Sequence, residues 1–215
     1  VEDLEIKHRI FPELESIVGD DVILASNTSS LSITTIAANS AHPERIAGLH
    51  FFNPVPLMKL VEVISGLRTA PSVTDFLFGL GKRMGREPVR VADAPGFLVN
   101  QVGRGYNIEA AHLCSDGIAG FADVDRIMRD AAGFRMGPFE LMDLTAIDVT
   151  HPATELIYEQ FYHEPRYRPS TLMNTRMKAG YLGRKTGQGF YTDEDGKQRI
   201  PEEAATPDYD GRAVW

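Results

Sequence analysis

One cysteine in 215 residues, Cys114, leaves no internal disulfide and no multi-cysteine metal site, which fits a reducing, cytoplasmic setting. Nor does any apolar run approach the roughly 18 residues that suggest a membrane span. Basic side chains are too few for a phosphate-backbone binder: 22 Lys and Arg against 30 Asp and Glu give a net charge of −8, whereas nucleic-acid affinity rests on clustered cations. Signatures of several catalytic classes are missing as well. His163-Glu164-Pro165 begins like the zinc-protease HExxH, but the second histidine is absent and proline breaks the helix. No G-x-S-x-G elbow offers an acyl-transfer serine. The basic loop Gly183-Arg184-Lys185-Thr186-Gly187-Gln188-Gly189 lacks Walker A spacing and reads as a tight turn before a strand at Phe190-Tyr191. The chain opens on Val1 rather than Met, with no signal-peptide pattern behind it. It is therefore expected to begin partway through a larger gene product.

What is present changes character once along the chain. On a helical wheel, residues 3–18 gather Leu4, Ile6, Ile10, Phe11, Leu14, Ile17 and Val18 into one arc. Lys7 falls in the middle of that arc, and Pro12 interrupts the hydrogen-bond pattern. Strands are expected at Val22–Ala25, Ile46–His50, Leu60–Ile64 and Pro88–Val91, with helices at Ile33–Ala38 and 72–84 between them. Short apolar strands interleaved with helices indicate an α/β unit with a mostly parallel sheet. After Asp93-Ala94-Pro95-Gly96 the periodicity is helical, over roughly 97–115, 122–131, 137–160 and 169–179. The expected organisation is α/β over residues 1–92, all-α over 93–192, and a polar tail or linker over 193–215.

Several polar residues stand out in this frame. Glu62 lies inside the apolar run Leu60 to Ile64, where a carboxylate is costly unless it is satisfied. His50 ends the preceding strand candidate. If the two strands are neighbours, Glu62 can fix the ring's tautomer and favour its protonated form, as a general acid–base needs. The alternative is a strand-end carboxylate and a core histidine bonded to backbone. Ser29 and Asn53 follow strand ends, where open α/β sheets bind ligands, although such residues also form turns. Asn100 sits among Phe97, Leu98, Val99 and Val102, so its amide needs a partner, either a ligand or another helix.

Six segments resemble the 3-hydroxyacyl-CoA dehydrogenase family, in family order from residue 1 to about 192. They are Val1-Glu2-Asp3-Leu4-Glu5-Ile6-Lys7, Ser26-Asn27-Thr28-Ser29-Ser30-Leu31, His50-Phe51-Phe52-Asn53-Pro54-Val55, Asp93-Ala94-Pro95-Gly96-Phe97-Leu98-Val99-Asn100, Met136-Gly137-Pro138-Phe139-Glu140-Leu141 and Gly183-Arg184-Lys185-Thr186-Gly187. The resemblance implies the second half of a Rossmann-type NAD-binding domain, then a helical C-terminal domain of the 6-phosphogluconate-dehydrogenase kind that pairs two subunits. It also implies NAD-dependent oxidation of a (3S)-3-hydroxyacyl-CoA, with His50 as base and Glu62 as its partner. Ser29, Asn53 and Asn100 would lie near the substrate, while Glu2, Lys7, Ser29, Asn53 and Lys185 would touch the cofactor. No metal, nucleic acid or membrane partner is implied.

Departures from the pattern matter too. The family's G-x-G-x-x-G and its ribose-binding acid are expected upstream of Val1. On that ground this chain alone is expected to self-associate without turning over substrate. Gln101 replaces a frequent arginine and Arg135 a common proline. The stretch Gly133–Leu144 looks most like longer bacterial members that oxidise 3-hydroxyadipyl-CoA in phenylacetate degradation and carry a second helical domain. Two rival readings are a non-catalytic assembly domain and a Rossmann dehydrogenase acting on a sugar acid; the second leaves the His-Phe-Phe-Asn-Pro segment unexplained.

Overall fold

A computed structural model describes residues 2–203, 205 and 211. The chain divides into two compact units, residues 1–105 with 153–168 and residues 106–152 with 169–215. The change from strand to helix near residue 93 is thus a boundary in periodicity, whereas the units exchange chain inside two helices. Of the expected tail at 193–215, the residues beyond Glu203 other than Ala205 and Gly211 lie outside the described ones.

The first unit holds α1 (Leu4–Ile17), β1 (Leu24–Ser26), α2 (Ile33–Ile36), β2 (Ile46–Phe51), β3 (Leu60–Ser65), α3 (Pro71–Arg83) and β4 (Glu87–Ala92). The Asp3 carboxylate starts α1 by accepting the Ile6 N–H at 3.0 Å, an N-cap that satisfies one orphan donor. Sheet order follows chain order, β1-β2-β3-β4. The outer pairs are parallel, while β2 and β3 run antiparallel. Side chains alternate across the sheet. Ile46 and Ile64 meet Phe11, Ile33 and Ile36 on one face, while Ala47 and Val63 meet Val73 and Leu77 on the other. A sheet covered on both faces accounts for strands that read as nearly unbroken apolar runs. The apolar arc of α1 is only partly used. Phe11 is buried against α2 and the turn after it, whereas Ile10, Leu14 and Ile17 are exposed.

The second unit contains the later turns of α4 (Val99–Ser115), α5 (Phe121–Arg126), α6 (Pro138–Thr145), the first turns of α7 (Ile147–Gln160), α8 (Thr171–Lys178), and a hairpin of β5 (Thr192–Glu194) and β6 (Lys197–Arg199). Its core brings Phe121, Phe139 and Phe190 together in tilted and edge-on contacts, with ring centroids 4.6 to 5.1 Å apart. The Arg176 guanidinium lies over Phe121 and Phe190 at 4.9 and 4.6 Å. Asp125 caps α6 from a distance, accepting the Phe139 and Glu140 N–H groups at 2.9 and 3.0 Å and the Tyr191 hydroxyl at 2.8 Å. Among the described residues no helix is long and apolar enough to cross a membrane.

Four expectations change here. The single helix expected over 137–160 is two, because Ala146 adopts φ 71° and the Ile147 N–H bonds to the Leu182 carbonyl at 3.0 Å instead of continuing the helix. The helix over 122–131 ends as α5 at Arg126 and closes in a π turn, Ile127–Ala131. Phe190 and Tyr191 are not a strand: their N–H groups bind the Asp143 carboxylate at 2.8 and 3.0 Å, so no neighbouring strand receives them. The start of the expected tail folds into the β5–β6 hairpin, turned by Asp195 and Gly196 at φ 52° and 75°, the left-handed pair that a two-residue hairpin requires.

Asp125 and Asp143 bear on pH dependence. Burial pushes both carboxyls above the usual range, against the N–H, hydroxyl and amide donors that pull them down. The folded state therefore holds protons that the unfolded chain has released, and stability falls as pH rises through that window. We expect the second unit to lose stability as pH climbs from roughly 4, the ordinary carboxylate value. Thermal unfolding of wild type and Asp143→Asn across that range checks this, since the variant lacks part of the slope.

Candidate active site

The sheet register explains how a histidine and a carboxylate distant in sequence meet. His50 on β2 lies directly opposite Glu62 on β3, and facing residues of an antiparallel pair bring their side chains together on one side. His50 Nδ1 stands 2.6 Å from Glu62 Oε2. Glu62 is 0% exposed and His50 5%. A buried carboxylate must be satisfied on its second oxygen as well. Oε1 of Glu62 accepts the N–H groups of Leu98 and Val99, at 3.0 and 2.9 Å, at the start of α4. The positive end of a helix thus faces the negative charge. The His50 ring meets Phe52 edge-on at 4.5 Å and Phe97 at 6.0 Å. With Nδ1 given to the carboxylate, Nε2 is the nitrogen left to exchange a proton.

A second polar group gathers beyond the ends of the parallel strands β1 and β2. Glu2 accepts from the Thr28 hydroxyl at 2.7 Å, the Ser29 N–H at 2.5 Å and the Ser29 hydroxyl at 2.7 Å. Desolvation pushes the Glu2 carboxyl up, but these donors and the Lys7 charge outweigh it and hold the group below the usual carboxylate range. Lys7, which falls within an apolar arc of α1, contributes the smallest of these effects on Glu2. Asn53 is exposed in the β2–β3 connection, and Asn100 is half-buried as the second residue of α4. Lys185 belongs to the second unit, where its Nζ pairs with Asp148 at 2.5 Å.

Two contributors escaped the reading of the sequence. Asn27 accepts the Phe51 N–H at 2.8 Å, tying the end of β1 to the strand that carries His50. An asparagine after a strand reads equally well as a turn former, so the only signal was ambiguous. Asp93 holds the start of α2 through the Ser32 hydroxyl and the Ile33 and Thr34 N–H groups, at 2.8, 2.9 and 2.7 Å. Nothing local announces a cap supplied from 60 residues away.

The donor set can be tested against a nicotinamide cofactor. An anionic carboxylate, two hydroxyls, an ammonium and an exposed carboxamide suit the hydroxyls and amide of a nicotinamide riboside. No G-x-G-x-x-G occurs in the 215 residues, so the fit concerns that end of the molecule and not its pyrophosphate.

Comparison with known proteins agrees with this chemistry. Residues 1–94 match the NAD binding domain of 3-hydroxyacyl-CoA dehydrogenase, and residues 96–193 match its C-terminal domain. The chain is 45% identical over 190 residues to 3-hydroxyadipyl-CoA dehydrogenase of Escherichia coli K12, covering 88% of this chain and 40% of that protein. It is 42% identical over 191 residues to the mitochondrial hydroxyacyl-coenzyme A dehydrogenase of Sus scrofa, covering 89% of this chain and 61% of that one. The chain therefore spans about half the length of these relatives. A crystal structure of 3-hydroxybutyryl-CoA dehydrogenase from Escherichia coli K12 superposes with a TM-score of 0.91 at 42% identity, over 97% of this chain and 44% of that one. NAD is the cofactor of the domain that residues 1–94 match. An α/β half carrying a buried histidine–carboxylate pair, followed by a helical half, both matched in order, leaves one conclusion: the chain belongs to the 3-hydroxyacyl-CoA dehydrogenase family.

Proposed function

We propose that this chain carries the acid–base pair of an NAD-dependent oxidation of a (3S)-3-hydroxyacyl-CoA to its 3-oxoacyl-CoA. The observation that carries the reading is the buried 2.6 Å hydrogen bond between His50 Nδ1 and Glu62 Oε2, which orients a base where β2 and β3 face each other. A bound NAD would supply the acceptor for the hydride that leaves C3. His50 Nε2 takes the proton of the 3-hydroxyl, and Glu62 stabilises the resulting imidazolium. Ser29 and Asn100 hold the hydroxyl and carbonyl of the substrate, so that proximity supplies part of the rate. Glu2, Lys7, Ser29 and Asn53 face the cofactor. The assay is formation of reduced nicotinamide by the intact protein from a 3-hydroxyacyl-CoA and from the matching free 3-hydroxy acid. Turnover of the free acid alone would overturn the reading.

The acyl group itself is proposed to end in a carboxylate held by Arg135. This arginine is exposed between Phe134, whose ring stacks on Tyr106 at 4.8 Å, and Met136, whose carbonyl accepts the Tyr106 hydroxyl at 2.8 Å. A guanidinium on an anchored turn is suited to bidentate carboxylate binding. Arg135→Ala is expected to lower the preference for 3-hydroxyadipyl-CoA over 3-hydroxyhexanoyl-CoA by about tenfold, the scale of one exposed charged hydrogen bond. An unchanged ratio of kcat/KM values removes Arg135 from the assignment.

The helical unit is proposed to pair two copies. Ile118, Ile127, Phe134, Leu144 and Val149 are each at least half exposed on it, and a two-fold dimer is the commonest way to cover such side chains. Light scattering should give the mass of two chains, and a monomer at high concentration would exclude the pairing.

A further inference from the structure

Phe97 is buried to 3% exposure, yet its backbone sits at φ 51°, in the left-handed region. For a bulky side chain that conformation is an outlier that persists only where the surroundings enforce it. Gly96 before it is also left-handed, at φ 73°. These two residues turn the chain back after β4. The Phe97 N–H bonds to the Ala94 carbonyl at 2.8 Å, and the Gln101 N–H bonds to the Gly96 carbonyl at 3.1 Å. Upstream, Asp93 anchors the turn to the first residues of α2. Downstream, the next two N–H groups, Leu98 and Val99, both converge on Oε1 of Glu62.

We propose that Phe97 is a positioning residue for the acid–base pair: its left-handed backbone aims the Leu98 and Val99 N–H groups at one oxygen of Glu62, leaving the other to hold His50 Nδ1. The proposal rests on the reading of His50 as the base. An ordinary φ at residue 97 swings the following peptide away, so the carboxylate loses a donor and its orientation loosens. His50 then samples geometries in which Nε2 no longer faces the substrate hydroxyl. The ring of Phe97, 6.0 Å from His50, closes the apolar side of the same site. The strain is thus spent on aiming two amides and not on packing alone.

Leu and Ile separate those roles, because they are isomers of equal apolar character. Leu is unbranched at Cβ and accepts a positive φ at lower cost than Ile. In the intact protein, Phe97→Ile is expected to lower kcat about tenfold more than Phe97→Leu with KM unchanged, and to move the pH at which activity is half-maximal. Proton NMR follows the hydrogen-bonded Nδ1–H of His50 independently of turnover, with His50→Gln assigning the signal. The resonance should persist in Phe97→Leu and broaden or vanish in Phe97→Ile. Should Phe97→Ile fail to fold, Val and Ala at the same position make the comparison, since Val is branched at Cβ as Ile is. Equal losses in the branched and unbranched variants overturn the proposal. If the resonance behaves as stated while no form of the protein oxidises a hydroxyacyl-CoA, the catalytic reading fails and the positioning role stands.

Discussion

His50→Gln lowers kcat about 100- to 10,000-fold, the usual worth of a positioned general base, while KM for the thioester changes little. Glutamine fills much of the same space and keeps a hydrogen bond to Glu62, so the fold should survive. It offers no nitrogen that can take the hydroxyl proton. Glu62→Gln is expected to cost a similar factor for a different reason. The amide oxygen can still receive the Leu98 and Val99 N–H groups, but the amide nitrogen then faces His50 Nδ1. As a donor it selects the tautomer protonated on Nε2, which is the wrong one for a base; the same error in a serine-protease triad is severe. Initial rates of nicotinamide reduction in the intact protein measure both. A His50→Gln enzyme within a fewfold of wild type would remove His50 from the chemistry.

Gly183→Ala destabilises the second unit by about 3–5 kcal/mol, from a strained backbone and an overpacked contact combined. Gly183 has φ 106°, and a Cβ there would lie 2.3 Å from the Asp143 carbonyl oxygen and 2.7 Å from its Cα. Both obstacles are backbone, so no rotamer change relieves them. The loop Gly183–Gly189 is shaped by this approach, because Asp143 also collects the Phe190 and Tyr191 N–H groups that follow it. Gly187→Ala is the internal comparison. Its φ of 73° disfavours alanine, but a Cβ there meets only the Asp193 carbonyl at 3.8 Å, so a loss of about 1–2 kcal/mol is expected. Denaturant unfolding of the two variants distinguishes them, and equal losses would show that the close approach to Asp143 is not what the loop requires.

Six segments of the sequence by themselves point to the family, and the periodicity places most elements within a residue or two. Helix α1, strands β2 to β4 and helix α3 follow from apolar spacing that is local to each segment. The same local reading singled out His50 and Glu62, because a carboxylate in an apolar run is conspicuous wherever it occurs. It stopped at the condition that the two strands be neighbours. Asp195-Gly196 was a legible hairpin signal, but the strands flanking it are short and polar, so no alternation drew attention to them.

The remaining features depend on bonds between segments far apart in the chain. His50 faces Glu62 because β2 and β3 pair antiparallel in one register, and a shift of one residue would have put the two side chains on opposite faces. The Glu62 carboxylate is tolerable in the core because two N–H groups reach it across 36 and 37 residues. Helix α6 ends at Thr145 because Leu182 takes the Ile147 N–H. Stereochemistry and spacing act over one or two turns of chain and are written into composition. Register, long-range caps and strained backbones such as Phe97 are set by which buried polar groups need partners once the chain is compact, and no single segment carries that information.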